Sequence, residues 1–190
     1  MSAPLEREIK LRFASRSDAL AAIARTGAGA HRARRLQADV VFDTPDRRLA
    51  ALGQVLRVRI EEGQHALTFK HPLPHATVKV REEIETTVGD GRRVIDVLRR
   101  LGFEVVFRYE KYREEFVRED VVIALDETPV GTFVELEGTE TGIAAAAAAL
   151  GRTSADFILD SYRTLFVQAC AAEGVVATDM VFARQGGTVG

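Results

Sequence analysis

The sequence is poor in cysteine, which excludes a protein stabilised by internal disulfide bonds. Cys170 is the single cysteine among 190 residues, so no internal disulfide can form. Because Cys170 falls in a helical apolar pattern, we predict a buried, inert thiol rather than a nucleophile. The chain also shows no secretory signal and no apolar run long enough to cross a membrane. We therefore expect a cytoplasmic protein.

An excess of charge of either sign is also missing. The chain has 26 Lys and Arg against 28 Asp and Glu, which gives a net charge of −2. Such a balance provides no overall attraction to nucleic acid or to an anionic membrane. No basic helix, no aromatic platform and no glycine-rich phosphate loop is evident. We expect neither nucleic acid nor membrane as a partner, and the sequence leaves a homodimer open.

The apolar periodicity predicts one α+β domain in which strands and helices alternate. The domain spans residues 1–173, and the tail 174–190 shows no clear pattern. Predicted helices cover residues 15–27, 91–101, 141–150 and 155–173, with a short helical or irregular link at 47–53. Predicted strands cover residues 5–13, 36–42, 55–61, 66–70, 78–85, 103–117, 121–126 and 132–137.

Most of these strands carry charges on one face and apolar side chains on the other. In residues 5–13, Glu6, Glu8 and Lys10 alternate with Ile9 and Leu11. One such strand is typical of a half-exposed antiparallel sheet with a solvated charged face. The repetition over so many strands favours a sheet that closes into a barrel, with helices on its apolar outer face. The charges would then line an enclosed chamber.

Enclosed charges of both signs need partners, and the types of the charged residues indicate which ligands they would bind. Converging arginines and lysines suit a polyanion, because guanidinium offers paired donors to phosphate oxygens. Grouped carboxylates suit a hard divalent cation such as Mg²⁺, which commonly bridges protein carboxylates and substrate phosphates. The sequence thus predicts a site for a metal–polyphosphate complex.

Residues 6–10, EREIK, resemble the E-x-E-x-K signature of the CYTH superfamily, also called triphosphate tunnel metalloenzymes. Further motifs of this family follow in order: VFDTPD at 41–46, LRVR at 56–59, LTFK at 67–70, REEIE at 81–85, KYR at 111–113, LD at 125–126, GTFVELE at 131–137 and SYRTL at 161–165. The resemblance covers residues 5 to 167. It implies a tunnel of about eight antiparallel strands that holds a triphosphate with Mg²⁺ or Mn²⁺.

The resemblance also implies roles for individual residues. The implied metal ligands are Glu6, Glu8, Asp126, Glu135 and Glu137. The implied phosphate-binding residues are Lys10, Arg57, Arg59, Lys70, Arg81, Lys111 and Arg113. The implied catalytic residues are Lys10, Glu83 and Glu85, with the two acids near the metal or its water.

Two departures from the family pattern bear on function. Val41 stands where many members have a tyrosine, and no lysine follows Lys111, although some phosphohydrolase members bring a lysine from a C-terminal helix over the tunnel. Arg152 or Arg163 could take that place.

Members of the family include triphosphatases and class IV adenylate cyclases, and we favour hydrolysis because no segment indicates an adenine pocket. A non-catalytic polyphosphate-binding module is the third hypothesis, which the intact carboxylates argue against.

Other features favour ordinary structural roles. His71 and His75 flank a Pro-Leu-Pro segment without any cysteine, which favours a solvated loop over a zinc site. The basic residues 31–35 are interpreted as surface charge before a strand, with the collection of substrate at a tunnel mouth as the alternative. We interpret Tyr109 and Tyr112 as packing residues of a strand.

Overall fold

The structure, a computed structural model, describes residues 4–74 and 77–183. Its centre is a closed barrel in which neighbouring strands are all antiparallel, in the order β1-β5-β4-β3-β2-β6-β7-β8. The strands are β1 (Leu5–Phe13), β2 (Gly29–Asp43), β3 (Val55–Glu61), β4 (Gln64–Leu73), β5 (Lys79–Val88), β6 (Glu104–Arg118), β7 (Val121–Thr128) and β8 (Gly131–Glu137). The predicted closed α+β barrel is confirmed.

Five α-helices in the described residues lie outside the barrel. They are α1 (Arg16–Arg25), α2 (Arg48–Ala51), α3 (Gly91–Arg100), α4 (Glu140–Ala149) and α5 (Tyr162–Ala172). None of them is long and apolar enough to span a bilayer. Side-chain oxygens cap the N-termini of several of these helices. Ser15 accepts from the backbone N–H of Asp18, and Asp90 accepts from that of Arg92.

The hydrophobic core is outside the barrel rather than inside it. Alternate residues of β1, such as Ile9 and Leu11, pack with Ile23 of α1 and Ile143 of α4. A second cluster joins α3 to β2 and β3, and a third surrounds the start of α5. Because helices cover the apolar face of most of the strands, the opposite, charged face is turned to the barrel axis.

Three segments differ from the sequence prediction. The strand predicted at 36–42 starts at Gly29, because its polar first half pairs with β6. Pro72, assigned to a loop, lies in β4. The helix predicted at 155–173 begins at Tyr162, because Ile158 forms two backbone hydrogen bonds with Lys10 of β1, each 2.9 Å long. Tertiary pairing overrides the helical pattern there.

The segment after α5 packs along β6. The backbone N–H of Met180 donates to Arg108 O and its carbonyl accepts from Glu110 N–H, in the stretch of β6 that β7 does not reach. The Met180 side chain is fully buried. Residues 184–190 and His75 lie outside the described residues. Cys170 is buried, as predicted.

Asp43, at the end of β2, fixes the turn into α2, and its removal should destabilise the fold. Its buried carboxylate accepts hydrogen bonds from the backbone N–H groups of Thr44, Leu49 and Ala50 at 2.7, 2.9 and 2.9 Å. Burial alone would raise the pKa of Asp43, but these hydrogen bonds hold it below its usual value. We expect Asp43→Asn to lower the free energy of unfolding by about 1–2 kcal/mol in chemical denaturation.

The same residue predicts a pH dependence. The folded chain binds the Asp43 proton more weakly than the unfolded chain does, because its pKa is lowered on folding. The stabilisation is therefore complete above the ordinary carboxyl pKa and is lost as pH falls through the lowered value. The stability difference between wild type and Asp43→Asn should shrink in acid, and a constant difference would contradict this account.

Candidate active site

The barrel encloses a cavity of about 980 Å³ that runs along its length. Its wall includes almost every residue predicted for the site, contributed by six strands. These are Glu6, Glu8, Lys10, Arg57, Arg59, Lys70, Arg81, Glu83, Glu85, Lys111, Arg113, Glu135 and Glu137. Asp126 lies outside this wall and is completely buried.

Four of these carboxylates concentrate negative charge on the adjacent strands β8, β1 and β5. We call them the acidic group, and its members are Glu6, Glu8, Glu83 and Glu137. Glu8 and Glu137 are direct cross-strand partners, an arrangement in which like charges repel. Solvent reaches Glu137 at the rim of the cavity, yet enclosure by protein and the nearby Glu6 carboxylate raise its pKa to about 7.

Three cations lie against the acidic group. Arg81 donates to both Glu6 and Glu8 at 3.0 Å. Lys70 Nζ lies 2.7 Å from Glu6 and 3.1 Å from Glu83. Lys79 Nζ lies 3.0 Å from Glu8, and burial lowers its pKa to about 8. The negative charge of the acidic group is therefore already compensated in part by side-chain cations of the protein.

Lys10 links the acidic group to the next carboxylate along β8. Its ammonium lies 3.2 Å from both Glu8 and Glu135. Burial alone would lower the pKa of Lys10, but these two carboxylates raise it above its usual value. Lys10 is therefore a fixed, fully charged group on the cavity wall.

Two further pairs of cations project into the cavity, each from alternate positions of one strand. The β3 pair is Arg57 and Arg59, and the β6 pair is Lys111 and Arg113. Burial holds the pKa of Lys111 at about 8, even though Asp126 and Glu135 oppose this effect. Converging guanidinium and ammonium groups of this kind suit a chain of phosphates.

Glu85 lies beside the β3 pair. Its Oε2 accepts a hydrogen bond of 2.7 Å from the Thr68 hydroxyl, and Arg57 Nη2 lies 3.5 Å from it. Solvent reaches 44% of the Glu85 side chain, so water has access to this carboxylate.

Sequence reasoning missed three residues of the site. Lys79 shares the alternation of Arg81 and Glu83, so the signal for it was present. Tyr109 does stack on Phe107, but its hydroxyl also accepts from Arg57 Nη1 at 3.2 Å, which packing alone did not predict. Tyr162, hidden in a helical pattern, donates to Asp126 at 2.7 Å.

The two ends of the cavity differ. At one end, α5 contributes Arg163, which is exposed and has its guanidinium 5.8 Å from the Phe107 ring; Val41 also lines this end. Arg152 instead stacks on Phe13, so it does not take the place of the absent lysine. At the other end Arg32 and Arg35 form ion pairs with Glu61 and Glu115. The basic patch predicted as surface charge is thus part of β2 and largely ion-paired.

The carboxylates fit a hard divalent cation by type, although their present contacts are with side-chain cations. Within residues 4–74 and 77–183, no three His, Cys, Asp or Glu side chains are grouped closely enough to hold a metal ion. The candidate metal ligands all offer carboxylate oxygens, which Mg²⁺ and Mn²⁺ prefer. The opposed pair Glu8 and Glu137 is the place where a cation would relieve most repulsion. Asp126 does not line the cavity, so its prediction as a metal ligand rests on the resemblance alone.

Comparison with known proteins identifies relatives over most of the chain. The family model of the CYTH domain matches residues 4–162. A Methanocaldococcus jannaschii protein, named as a proposed adenylate cyclase, is 33% identical over 105 residues. That alignment covers 55% of this chain and 60% of the archaeal protein, so the chain spans less than two thirds of that relative.

Two solved structures have the same fold. A proposed adenylate cyclase from Vibrio parahaemolyticus superposes with a TM-score of 0.74 at 23% identity, over 86% of this chain and 98% of its own. A proposed adenylyl cyclase from Hippeastrum, described as having dominant triphosphatase activity, gives a TM-score of 0.63 at 22% identity, over 90% and 97%. At these identities the likeness concerns the fold.

Proposed function

Because this chain belongs to the CYTH domain family, we propose that it is a divalent-metal-dependent hydrolase of a triphosphate substrate. The substrate is inorganic tripolyphosphate, thiamine triphosphate or a nucleoside triphosphate, bound inside the barrel. Glu6, Glu8 and Glu137, with Glu135 close by, would hold the metal, which would be Mg²⁺ or Mn²⁺.

A single observation carries this proposal: opposite charges from distant segments meet in one enclosed cavity. A pure anion-binding protein would gain nothing from Glu8 facing Glu137, since both repel phosphate. A pure metal-binding protein would not need the β3 and β6 pairs of cations. A complex of metal and triphosphate satisfies both sets of charges at once.

In this proposal the chain acts mainly by position and charge. The β3 pair, the β6 pair and Lys10 bind phosphate oxygens and compensate the charge that builds up on the leaving phosphate. Arg81 and Lys70 hold the acidic group in place. Glu85, which solvent reaches, orients the attacking water. A divalent cation supplies further positive charge against the phosphate oxygens.

Adenylate cyclase activity is the second candidate, and the name of the archaeal relative favours it. In cyclisation the ribose 3′-hydroxyl would replace water and attack the α-phosphorus, releasing pyrophosphate. The same cations would serve both reactions. We favour hydrolysis because charged residues make up half of the cavity wall in the described part of the chain, and the sequence indicates no adenine pocket.

An assay of the released product separates these candidates. The protein is incubated with tripolyphosphate, thiamine triphosphate or ATP, with Mg²⁺, with Mn²⁺ and with EDTA. We expect metal-dependent release of orthophosphate and its loss in EDTA. Cyclic AMP and pyrophosphate from ATP, without orthophosphate, would replace the proposal with the cyclase. Tight binding of tripolyphosphate without any turnover would leave a binding module.

A further inference from the structure

One buried aspartate contacts each pair of cations, the β3 pair and the β6 pair, and does not itself line the cavity. Asp39 of β2 receives two hydrogen bonds from Arg59, at 2.9 and 3.2 Å, and lies 3.4 Å from Arg57. Its side chain is completely buried and lies outside the cavity wall that the described residues form. Tyr109, from the next strand, completes the arrangement by accepting from Arg57.

The β6 pair repeats this arrangement. Asp126 of β7 accepts from Lys111 at 2.8 Å and from Arg113 at 2.7 and 2.6 Å. The hydroxyl of Tyr162 adds a fourth hydrogen bond of 2.7 Å. The Asp126 side chain is also completely buried and also lies outside the cavity wall.

Four donors leave the Asp126 carboxylate little capacity for another partner. A carboxylate has about four lone-pair sites, and here Oδ2 accepts three of the four hydrogen bonds and Oδ1 accepts the fourth. To bind a metal it would have to give up contacts to two cations in a place that solvent does not reach, which would leave buried charges unpaired. The acidic group is different, because its members lie on the cavity wall.

We propose that Asp39 and Asp126 are positioning residues: each fixes the geometry of one pair of phosphate-binding cations, and neither binds metal. This rests on the proposed function, since it assumes that the cation pairs bind phosphate. It replaces the metal-ligand role that the resemblance implies for Asp126. Each aspartate acts through charge-assisted hydrogen bonds, which set the direction of the donors that remain for the substrate.

The proposal predicts opposite effects on affinity and on turnover. Replacing either aspartate by asparagine removes a negative charge close to the phosphates, so the ground-state attraction for triphosphate should not weaken. The cations, however, lose their fixed directions, and misplacement of about 1 Å can reduce turnover by about 10²-fold. We therefore expect kcat to fall by about 10- to 100-fold in Asp39→Asn and in Asp126→Asn, with an unchanged or lower Kd for tripolyphosphate measured without metal.

The control variant is Asp43→Asn, which removes a buried aspartate that lines one end of the cavity but accepts hydrogen bonds from backbone N–H groups and the Thr44 hydroxyl rather than from a cation. It should lose stability while keeping its kcat per folded molecule. Binding of Mn²⁺ to each variant without substrate provides the test of the metal role. A weaker Mn²⁺ affinity in Asp126→Asn would overturn the proposal, and so would an unchanged kcat in both variants.

A second measurement does not depend on catalysis. The Lys111 ammonium is buried between Asp126 and Glu135, so its proton–nitrogen NMR signal should be slow to exchange and visible; Lys111→Arg identifies it. The signal should disappear in Asp126→Asn and persist in Asp39→Asn, because each aspartate acts on its own pair. Loss in both variants, or in neither, would overturn the proposal. Failure of the wild type to release phosphate would count against the proposed function but would leave this result informative.

Discussion

Glu8→Gln should reduce triphosphate turnover by about 10²- to 10³-fold, an effect typical of removing one electrostatic contact of the transition state. The substitution keeps the shape of the side chain and removes a charge that faces Glu137 and contacts Lys10, Lys79 and Arg81. With repulsion from Glu137 relieved and a cation ligand lost, the half-saturating metal concentration should rise steeply. Steady-state kinetics over a metal titration measures both quantities.

The apparent loss could arise from a general loss of negative charge, so it needs a control. Glu82 is next to Glu83 on β5 but belongs to the alternate, outward-facing set of side chains. Glu82→Gln removes the same charge and should leave kcat and the metal dependence unchanged. If excess metal fails to restore any activity to Glu8→Gln while its Mn²⁺ affinity equals that of the wild type, the role of Glu8 as a ligand is wrong.

Arg57→Ala should weaken triphosphate binding by about 10- to 100-fold while changing the melting temperature little, since a charge-assisted hydrogen bond contributes about 1.5–3 kcal/mol. Arg57 is buried and directed at the cavity, where it contacts Thr68 and Tyr109. Its removal does not strand Asp39, because Arg59 still donates two hydrogen bonds to that carboxylate. Calorimetric titration with tripolyphosphate measures the loss directly.

Arg57→Lys separates charge from geometry. If the paired donors of the guanidinium matter, lysine should recover part of the affinity and little of the turnover. Arg118→Ala, on the same barrel but at the outer end of β6, controls for loss of one positive charge. An Arg57→Ala protein that binds and hydrolyses like wild type would remove Arg57 from the site.

The fold was largely predictable because its signal is local. The alternation in β1 and β3 predicted both strands with the bounds that the structure has, 5–13 and 55–61. The start of β2 was missed, because Arg32 and Arg35 give no apolar alternation and are held there by partners on β3 and β6. The start of α5 was missed as well, although Ser161, whose side chain accepts from Thr164 N–H, is an ordinary N-cap.

The site was predictable as a set of inward-facing charges but not as a set of contacts. Alternation places Lys111 and Glu137 inside the barrel, yet it does not reveal that Asp126 is enclosed by four donors. Contacts between β6, β7 and α5 depend on barrel closure, which joins residues far apart in the chain. The same limit explains why Tyr162 was placed only in a predicted helix and in the motif at 161–165, and not in the support of the site.

The inversion of the barrel, with its apolar residues outside and its charges inside, gives each strand a division of labour. Stability comes from the positions that meet the helices, and the positions between them carry the charges that we propose bind the substrate. A substitution on one face therefore leaves the other nearly untouched. Such a scaffold can acquire a new ligand by exchanging interior side chains, one at a time, without first having to rebuild what keeps it folded.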